Sequence, residues 1–215
     1  MQRLRIKFSR GDEIKFISHL DIVRLWQRAF NRAGIQIAYS AGFSPHPRIS
    51  LAAPLPLGVT SNAELMDIFC IKGVAPHFFI SAVNRQLPQG MMVDKVHPIA
   101  FDLPSLQSQI AQAEYRVEVD TEKGPSDIKA ALEALLDLEQ LPWQHQRDTG
   151  PRQYDLRALI NDLWVLEWNP PLGVLGMNLR CDSSGSGRPE QVAAALGFAE
   201  RPQSIHRTQL ILKVK

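Results

Sequence analysis

Hydrophobic and polar positions alternate from the start of the chain: Leu4, Ile6 and Phe8 interleave with Arg3, Arg5, Lys7 and Ser9. That is the period of a strand with one face toward a core, and it leaves the other face strongly basic. After a turn at Gly11-Asp12 the period lengthens, and Leu20, Val23, Trp26, Phe30 and Ala33 fall on one stripe at helical spacing. Ser18 reads as the N-cap, Asp21 as its acidic partner three residues on, and Gly34 as the stop. Strand patterns follow at residues 35–40 and 49–54, on either side of a stiff loop, and again at 63–71. Residues 74–87 form an amphipathic helix opened by Pro76, and 91–99 a further strand. The order β-α-β-β-β-α-β is a ferredoxin-like split βαβ with one additional strand.

Residues 102–112 are polar and proline-containing, which predicts a linker. Beyond them Tyr115, Val117 and Val119 alternate as a strand, and Ser126-Asp127 opens a helix over 126–138. Short strands are expected around 143–146, 154–160, 164–168 and 172–180. The glycine–serine loop 183–187 leads into a helix begun by Pro189, and 205–214 is the last strand. Both halves thus run strand, Ser-capped helix, hairpin strands, helix, strand. The pattern predicts an α+β protein of two tandem ferredoxin-like (split βαβ) halves with antiparallel sheets, residues 1–101 and 113–215 joined by 102–112.

Within this frame, residues 39–64 hold four prolines, two glycines and His46 fixed between Pro45 and Pro47. Each proline sets its own φ and restrains the residue before it. A binding loop gains from being ordered before its ligand arrives, while a hairpin with a proline-bounded tip calls for the same residues.

The composition, 45% hydrophobic and 21% charged over 215 residues, is that of an ordinary globular chain with a net charge of +2. Its distribution says more. Residues 1–50 carry nine Lys/Arg against three acids, a balance of +6, so the remainder carries −4. An anion-binding face gives such an asymmetry, and so does a solvated outer face. Arg24, Arg28 and Arg32 lie at i, i+4 and i+8 on the first helix, a basic ridge open to both readings. Together with Lys15, Arg48 and Ser50 they are the expected phosphate contacts, and Tyr39, Phe43 and His46 supply rings beside them.

His46, Arg48 and Ser50 alternate out of the loop tip and should share a face. With His19 at the first turn of the helix they make an alternative catalytic set. Two imidazoles and a cation suffice for metal-independent cleavage of RNA, one as general base on the 2′-hydroxyl and one as acid to the leaving oxygen. Gly185, Gly187 and Arg188, just ahead of Pro189, form a candidate anion nest or a plain surface loop. Glu64 and Asp67 are three apart on a strand, hence on opposite faces, and do not make a paired-carboxylate site. Cys70 and Cys181 lie far apart in apolar runs and read as small buried hydrophobes, so no metal, cluster or other cofactor is expected. No Walker loop, nucleophile elbow or GxGxxG is present, which removes most common enzyme classes. The N-terminus lacks an apolar leader pattern and no stretch approaches eighteen apolar residues, so a cytoplasmic protein without a membrane partner is expected.

Several phrases carry a resemblance: FISHLD, RAFNRAG, YSAGFSPHPRISLAAPLPLGVTSNAE, YDLRALI, GRPEQVAAALG and HRTQL. They resemble an uncharacterised family whose members are encoded beside, or fused to, B12-binding radical SAM proteins. The resemblance implies a radical SAM partner that carries the iron–sulfur cluster, and a neighbourhood of ribonuclease E/G-type and ribosomal-protein genes. A histidine opening the first helix and a glycine–proline-rich loop after it are also similar to the RAMP proteins of CRISPR systems, which bind RNA and are built from two ferredoxin-like halves. No clear counterpart of their C-terminal glycine-rich loop stands in this chain. The expectation is an RNA-binding accessory protein, for rRNA or tRNA rather than DNA, acting with a radical SAM enzyme or in RNA processing or modification. The alternatives are an endoribonuclease using His19 and His46, and an adaptor that docks a radical SAM partner through the apolar PLPLGV segment without nucleic acid.

Overall fold

The computed structural model describes residues 1–147 and 150–213. The chain divides at Ile110 into two compact units, the first of which also takes the C-terminal residues from Leu212 on. In the first unit β1 (Gln2–Arg10) leads through a single 3-10 turn to α1 (His19–Arg32). β2 (Ile49–Leu51), β3 (Thr60–Cys70), α2 (Pro76–Asn84), β4 (Met91–Ile99) and the one-turn α3 (Leu106–Gln109) follow. β1 pairs antiparallel with β3 on one side and β4 on the other, and β2 pairs antiparallel with the far edge of β3. The spatial order is therefore 2-3-1-4.

The alternation in β1 buries Leu4, Ile6 and Phe8, which meet Met66 and Ile68 of β3 and Val96 of β4 in one core. α1 begins where Ser18 Oγ accepts the Asp21 N–H at 3.3 Å, which satisfies one of the donors that a helix start leaves open. It ends at Gly34, whose φ of +71° suits a residue without a Cβ. Its buried stripe is Ile22, Trp26, Ala29 and Phe30. Leu20, expected on that stripe, is exposed instead, because it lies two positions from Ile22 along the helix, a step that turns it to the opposite side. Trp26 lies edge-on to Phe8 at 4.9 Å between ring centroids and stacks on Phe30 at 5.3 Å. This aromatic column fixes α1 over the sheet.

The second unit contains β5 (Ile110–Asp120), α4 (Pro125–Leu136), β6 (Pro142–Arg147), β7 (Gly150–Asp155), β8 (Ile160–Asn169), β9 (Leu172–Asp182), β10 (Gly185–Ser186), α5 (Pro189–Ala195) and β11 (Ser204–Leu212). β9 pairs antiparallel with β5 on one edge and with β8 and the short β10 on the other, while β11 neighbours β5. β6 and β7 form a two-stranded antiparallel ribbon of their own. The architecture is α+β, with mostly antiparallel strands and five α-helices among the described residues. No helix among the described residues is long and apolar enough to cross a membrane.

Three local expectations are corrected. Residues 35–40 are not a strand and make only isolated bridges, Ile37 to Cys70 and Tyr39 to Pro47. β2 already occupies β3 at Met66–Ile68, and Pro45 and Pro47 have no N–H with which to continue a ladder. Residues 154–160 are split between the end of β7 and a 3-10 turn. There Asp155 Oδ1 accepts from the backbone of Leu141 at 2.8 Å and of Arg157 at 3.0 Å and turns the chain. The helix expected from Ser126 starts at Pro125, and Asp127 closes its first turn by accepting the Gly124 N–H at 3.1 Å.

Candidate nucleic-acid interface

The polar face of β1 is largely committed inside the protein. Arg3 and Arg5 stand opposite Phe69 and Asp67 of β3 in the register, and both guanidiniums close on Asp67, which is 1% exposed. Arg5 binds it two-pronged, Nε to Oδ1 at 2.8 Å and Nη2 to Oδ2 at 3.0 Å, and Arg3 Nη2 adds a third bond at 2.8 Å. Arg3 also donates to the carbonyls of Leu103 at 2.6 Å and Pro104 at 2.9 Å. The segment 102–112, expected as a linker, is thereby pinned to β1 and carries α3. From sequence alone Asp67 stands only beside Glu64. The signal for its actual partners is a carboxylate embedded in an apolar strand that pairs with an arginine-bearing one.

Among the cations of residues 1–50, the exposed ones lie on α1. Arg24, Arg28 and Arg32 all reach solvent, with Arg24 bound to Asp21 at 3.0 Å. The Ser18 hydroxyl, and then the Arg24 guanidinium, hold the Asp21 carboxyl below the usual carboxylate range. Gln27, between Arg24 and Arg28 on the helix, donates to the Tyr39 hydroxyl at 2.9 Å. Tyr39 is the last residue before the loop tip. The tip is closed by Ser40 N–H to His46 O at 2.8 Å, by His46 N–H to Ser40 Oγ at 3.0 Å and by the Tyr39–Pro47 bridge. Gly42, at a φ of +126°, allows its reversal. Phe43 projects from it fully exposed, and His46 is exposed as well.

The remaining candidates part company with this surface. Lys15 bonds Asp12 at 2.9 Å and lies over the ring of Phe16. Arg48 places its guanidinium 3.5 Å from the centroid of Phe69, and Ser50 stands opposite Asp67, so these two share the sheet face of Arg3 and Arg5. His19 and His46 are both exposed, and no hydrogen bond joins the two imidazoles among the described residues. In the second unit the donors of the expected anion nest are used internally. Asp182 Oδ1 accepts from Ser184 N–H at 2.8 Å and Gly185 N–H at 3.1 Å, and Gly187 N–H donates to Arg180 O at 2.9 Å. The glycines have a packing reason: a Cβ at Gly187 would lie 2.9 Å from Leu159 O, and one at Gly185 would lie 2.7 Å from the Leu159 side chain. Arg157, another cation of this half, is spent on the carbonyls of Leu136 and Ile160. Cys70 and Cys181 are buried, and burial pushes the Cys70 thiol up to about 11. Among the described residues no group of His, Cys, Asp and Glu is arranged to hold a metal.

A family model described as "Uncharacterized protein conserved in bacteria (DUF2344)" matches residues 3–189. The chain belongs to that family. No curated protein matches it in sequence. Among solved structures, a chain of the crystal structure of a Cbf5-Nop10-Gar1 complex matches 96% of this chain at 9% identity, with a TM-score of 0.52. A chain in the structure of an H/ACA RNP bound to a substrate RNA containing 2′-deoxyuridine matches 96% at 10% identity, with a TM-score of 0.48. The family member spans about half of those chains, 48% and 47% of their lengths, and the first likeness shows a shared fold.

Proposed function

We propose that this protein binds RNA, rRNA or tRNA, through the surface formed by α1 and the proline-bounded loop, as an accessory to RNA processing or modification alongside a radical SAM enzyme. The observation that carries the reading is the Gln27–Tyr39 hydrogen bond, which sets the arginine ridge beside the base of a loop that displays Phe43 and His46. Cations spaced one helical turn apart contact phosphates, and a solvent-facing ring beside them stacks on an unpaired base. The same reading takes the fold as two ferredoxin-like halves. The order 2-3-1-4 of the first unit supports it, as does the sequence β5, α4, β8, β9, α5, β11 of the second, with the β6–β7 ribbon as an insertion.

The test is titration of a single-stranded oligoribonucleotide with the native protein, with Arg24, Arg28 and Arg32 replaced together by Gln, and with His46→Ala. Both variants bind more weakly. The triple variant also loses about 0.7 from the slope of log affinity against log salt for each phosphate contact removed. His46→Ala shifts stability by less than about 1 kcal/mol, as suits an exposed position. The RNA is recovered intact in EDTA, and cleavage abolished by His46→Ala would favour the endoribonuclease instead. Unchanged affinity and slope in the triple variant would remove the interface.

The adaptor reading has an observation of its own. Phe16, Leu20 and Leu57 are each more than 60% exposed, and Gly58 N–H donates to Lys15 O at 2.9 Å, which sets Phe16 beside the PLPLGV segment. Such an apolar patch marks a protein contact. Phe16→Asp with Leu57→Asp should then release a radical SAM partner in co-purification while leaving RNA affinity intact.

A further inference from the structure

The β6–β7 ribbon has a chemically distinctive face. Its antiparallel register sets Trp143 opposite Tyr154 and His145 opposite Arg152, so these four side chains lie on one side of it. Facing them is the chain from the end of β9 into α5. Two contacts clamp the ribbon to that wall: Arg188 Nη1 lies 3.4 Å from His145 Nε2, and the Tyr154 hydroxyl donates to Gln191 Oε1. Between the two walls is a cavity of about 340 Å³ whose lining includes His145, Arg152, Tyr154, Arg180, Ser184 and Arg188. Its size is that of a small-ligand site.

The charges around it are unequally engaged. Arg180 is neutralised by Asp182, Nε to Oδ2 at 2.9 Å. Burial alone would raise Asp182, but hydrogen bonds from Ser184, Arg180 and the backbone of Ser184 and Gly185 outweigh it and hold the carboxyl well below the usual range. Asp155, also in the lining, is turned to the Leu141 and Arg157 backbone. Arg152 and Arg188 have no carboxylate partner among the described residues, whereas the Ser184 hydroxyl in the same lining is committed, donating to Asp182 Oδ1 and accepting from Arg180 Nη2. Two guanidinium forks match the oxygens of a dianionic phosphate far better than a neutral or cationic ligand. An open groove of about 520 Å³, lined by Trp143 and Tyr154, shares Tyr154 and Asp155 with the basic pocket and offers aromatic rings beside it.

We propose that the second unit binds a nucleotide phosphomonoester, its phosphate between Arg152 and Arg188 and its base on Trp143 and Tyr154. The group is carried either by a free mononucleotide or by the 5′ end of an RNA. Neither source depends on the α1 surface.

The experiment is calorimetric titration of the full chain with inorganic phosphate, 5′-AMP, and one single-stranded oligoribonucleotide with and without a 5′-phosphate. 5′-AMP binds more tightly than inorganic phosphate, and Arg152→Gln and Arg188→Gln each weaken it by about tenfold or more, the effect of losing one charge-assisted contact. Arg152 is exposed and makes no hydrogen bond to a neighbouring side chain among the described residues, so its variant decides the matter even if Arg188→Gln unfolds. A 5′-phosphate that tightens oligonucleotide binding identifies the RNA end as the source. Equal binding of the two oligonucleotides, with 5′-AMP still bound, identifies the free nucleotide. The protein with Arg24, Arg28 and Arg32 replaced keeps 5′-AMP binding, so a failure of the α1 interface is told apart from a failure of the pocket. No binding of either 5′-AMP or phosphate at millimolar concentration, or binding unchanged in Arg152→Gln, overturns the proposal.

Discussion

Asp67 shows how one residue redirects a sequence's charge. It receives three hydrogen bonds from two guanidiniums while almost fully buried, and through Arg3 it fixes the carbonyls of Leu103 and Pro104 against β1. A buried ion pair contributes little net stability relative to an apolar core, but removing one partner leaves the other charge without compensation. Asp67→Asn keeps the shape and removes the charge, stranding two cations. Chemical denaturation should therefore show a loss of about 3–5 kcal/mol. A loss below about 1 kcal/mol, the ordinary effect of a surface substitution, would mean that water reaches the cluster and that the segment 102–112 is held by other contacts. Little of this was legible beforehand. Alternation correctly placed Arg3 and Arg5 on the face away from the apolar core, but their partner lies 62 to 64 residues along the chain, and no local pattern reports such a pairing.

At the level of elements, the sequence was most readable where a single residue dictates backbone geometry. Ser18 with Asp21, Gly34, Pro76 and Pro189 sit at helix boundaries for reasons that hold in any fold. It was least readable where elements touch. Gly173 in β9 stands between Val119 of β5 and Trp168 of β8, and a Cβ there would penetrate the Trp168 ring. The ring cannot simply swing aside, because its indole N–H donates to Lys123 O at 2.9 Å. Gly173→Ala should therefore destabilise the protein by about 1–3 kcal/mol, the usual consequence of forcing atoms into a packed site, with a matching drop in Tm. The same substitution would favour a strand on propensity alone, so the sign of the change separates packing from propensity. In sequence Gly173 looks like a weak point in a strand. In the structure it is the space that lets a tryptophan lie across one.

For the molecule as a whole, the balance of +6 in residues 1–50 overstates the charge available to a ligand. Arg3 and Arg5 are taken by Asp67, Arg10 is buried with its guanidinium on the Ile14 and Ile17 carbonyls, and Lys7 faces Asp94 at 3.6 Å. Lys15 is bound to Asp12, and Arg48 lies on Phe69. Arg28 and Arg32 remain, with Arg24 shared with Asp21 across an exposed pair that salt weakens. Composition counts every cation alike, and folding decides which of them face outward. Each phosphate neutralised on a single strand contributes about −0.7 to the slope of log affinity against log salt, so three exposed arginines predict a slope near −2, where six free charges would give about −4. Fluorescence anisotropy with a single-stranded oligoribonucleotide lacking a 5′-phosphate, over a salt series, measures this directly and leaves the pocket of the second unit without its phosphomonoester. A slope near −4 would require further cations to reach the strand, and about half of it, a slope near −2, would then remain when Arg24, Arg28 and Arg32 are replaced. A slope near −2 that vanishes in that variant would assign the electrostatic part of binding to α1 alone.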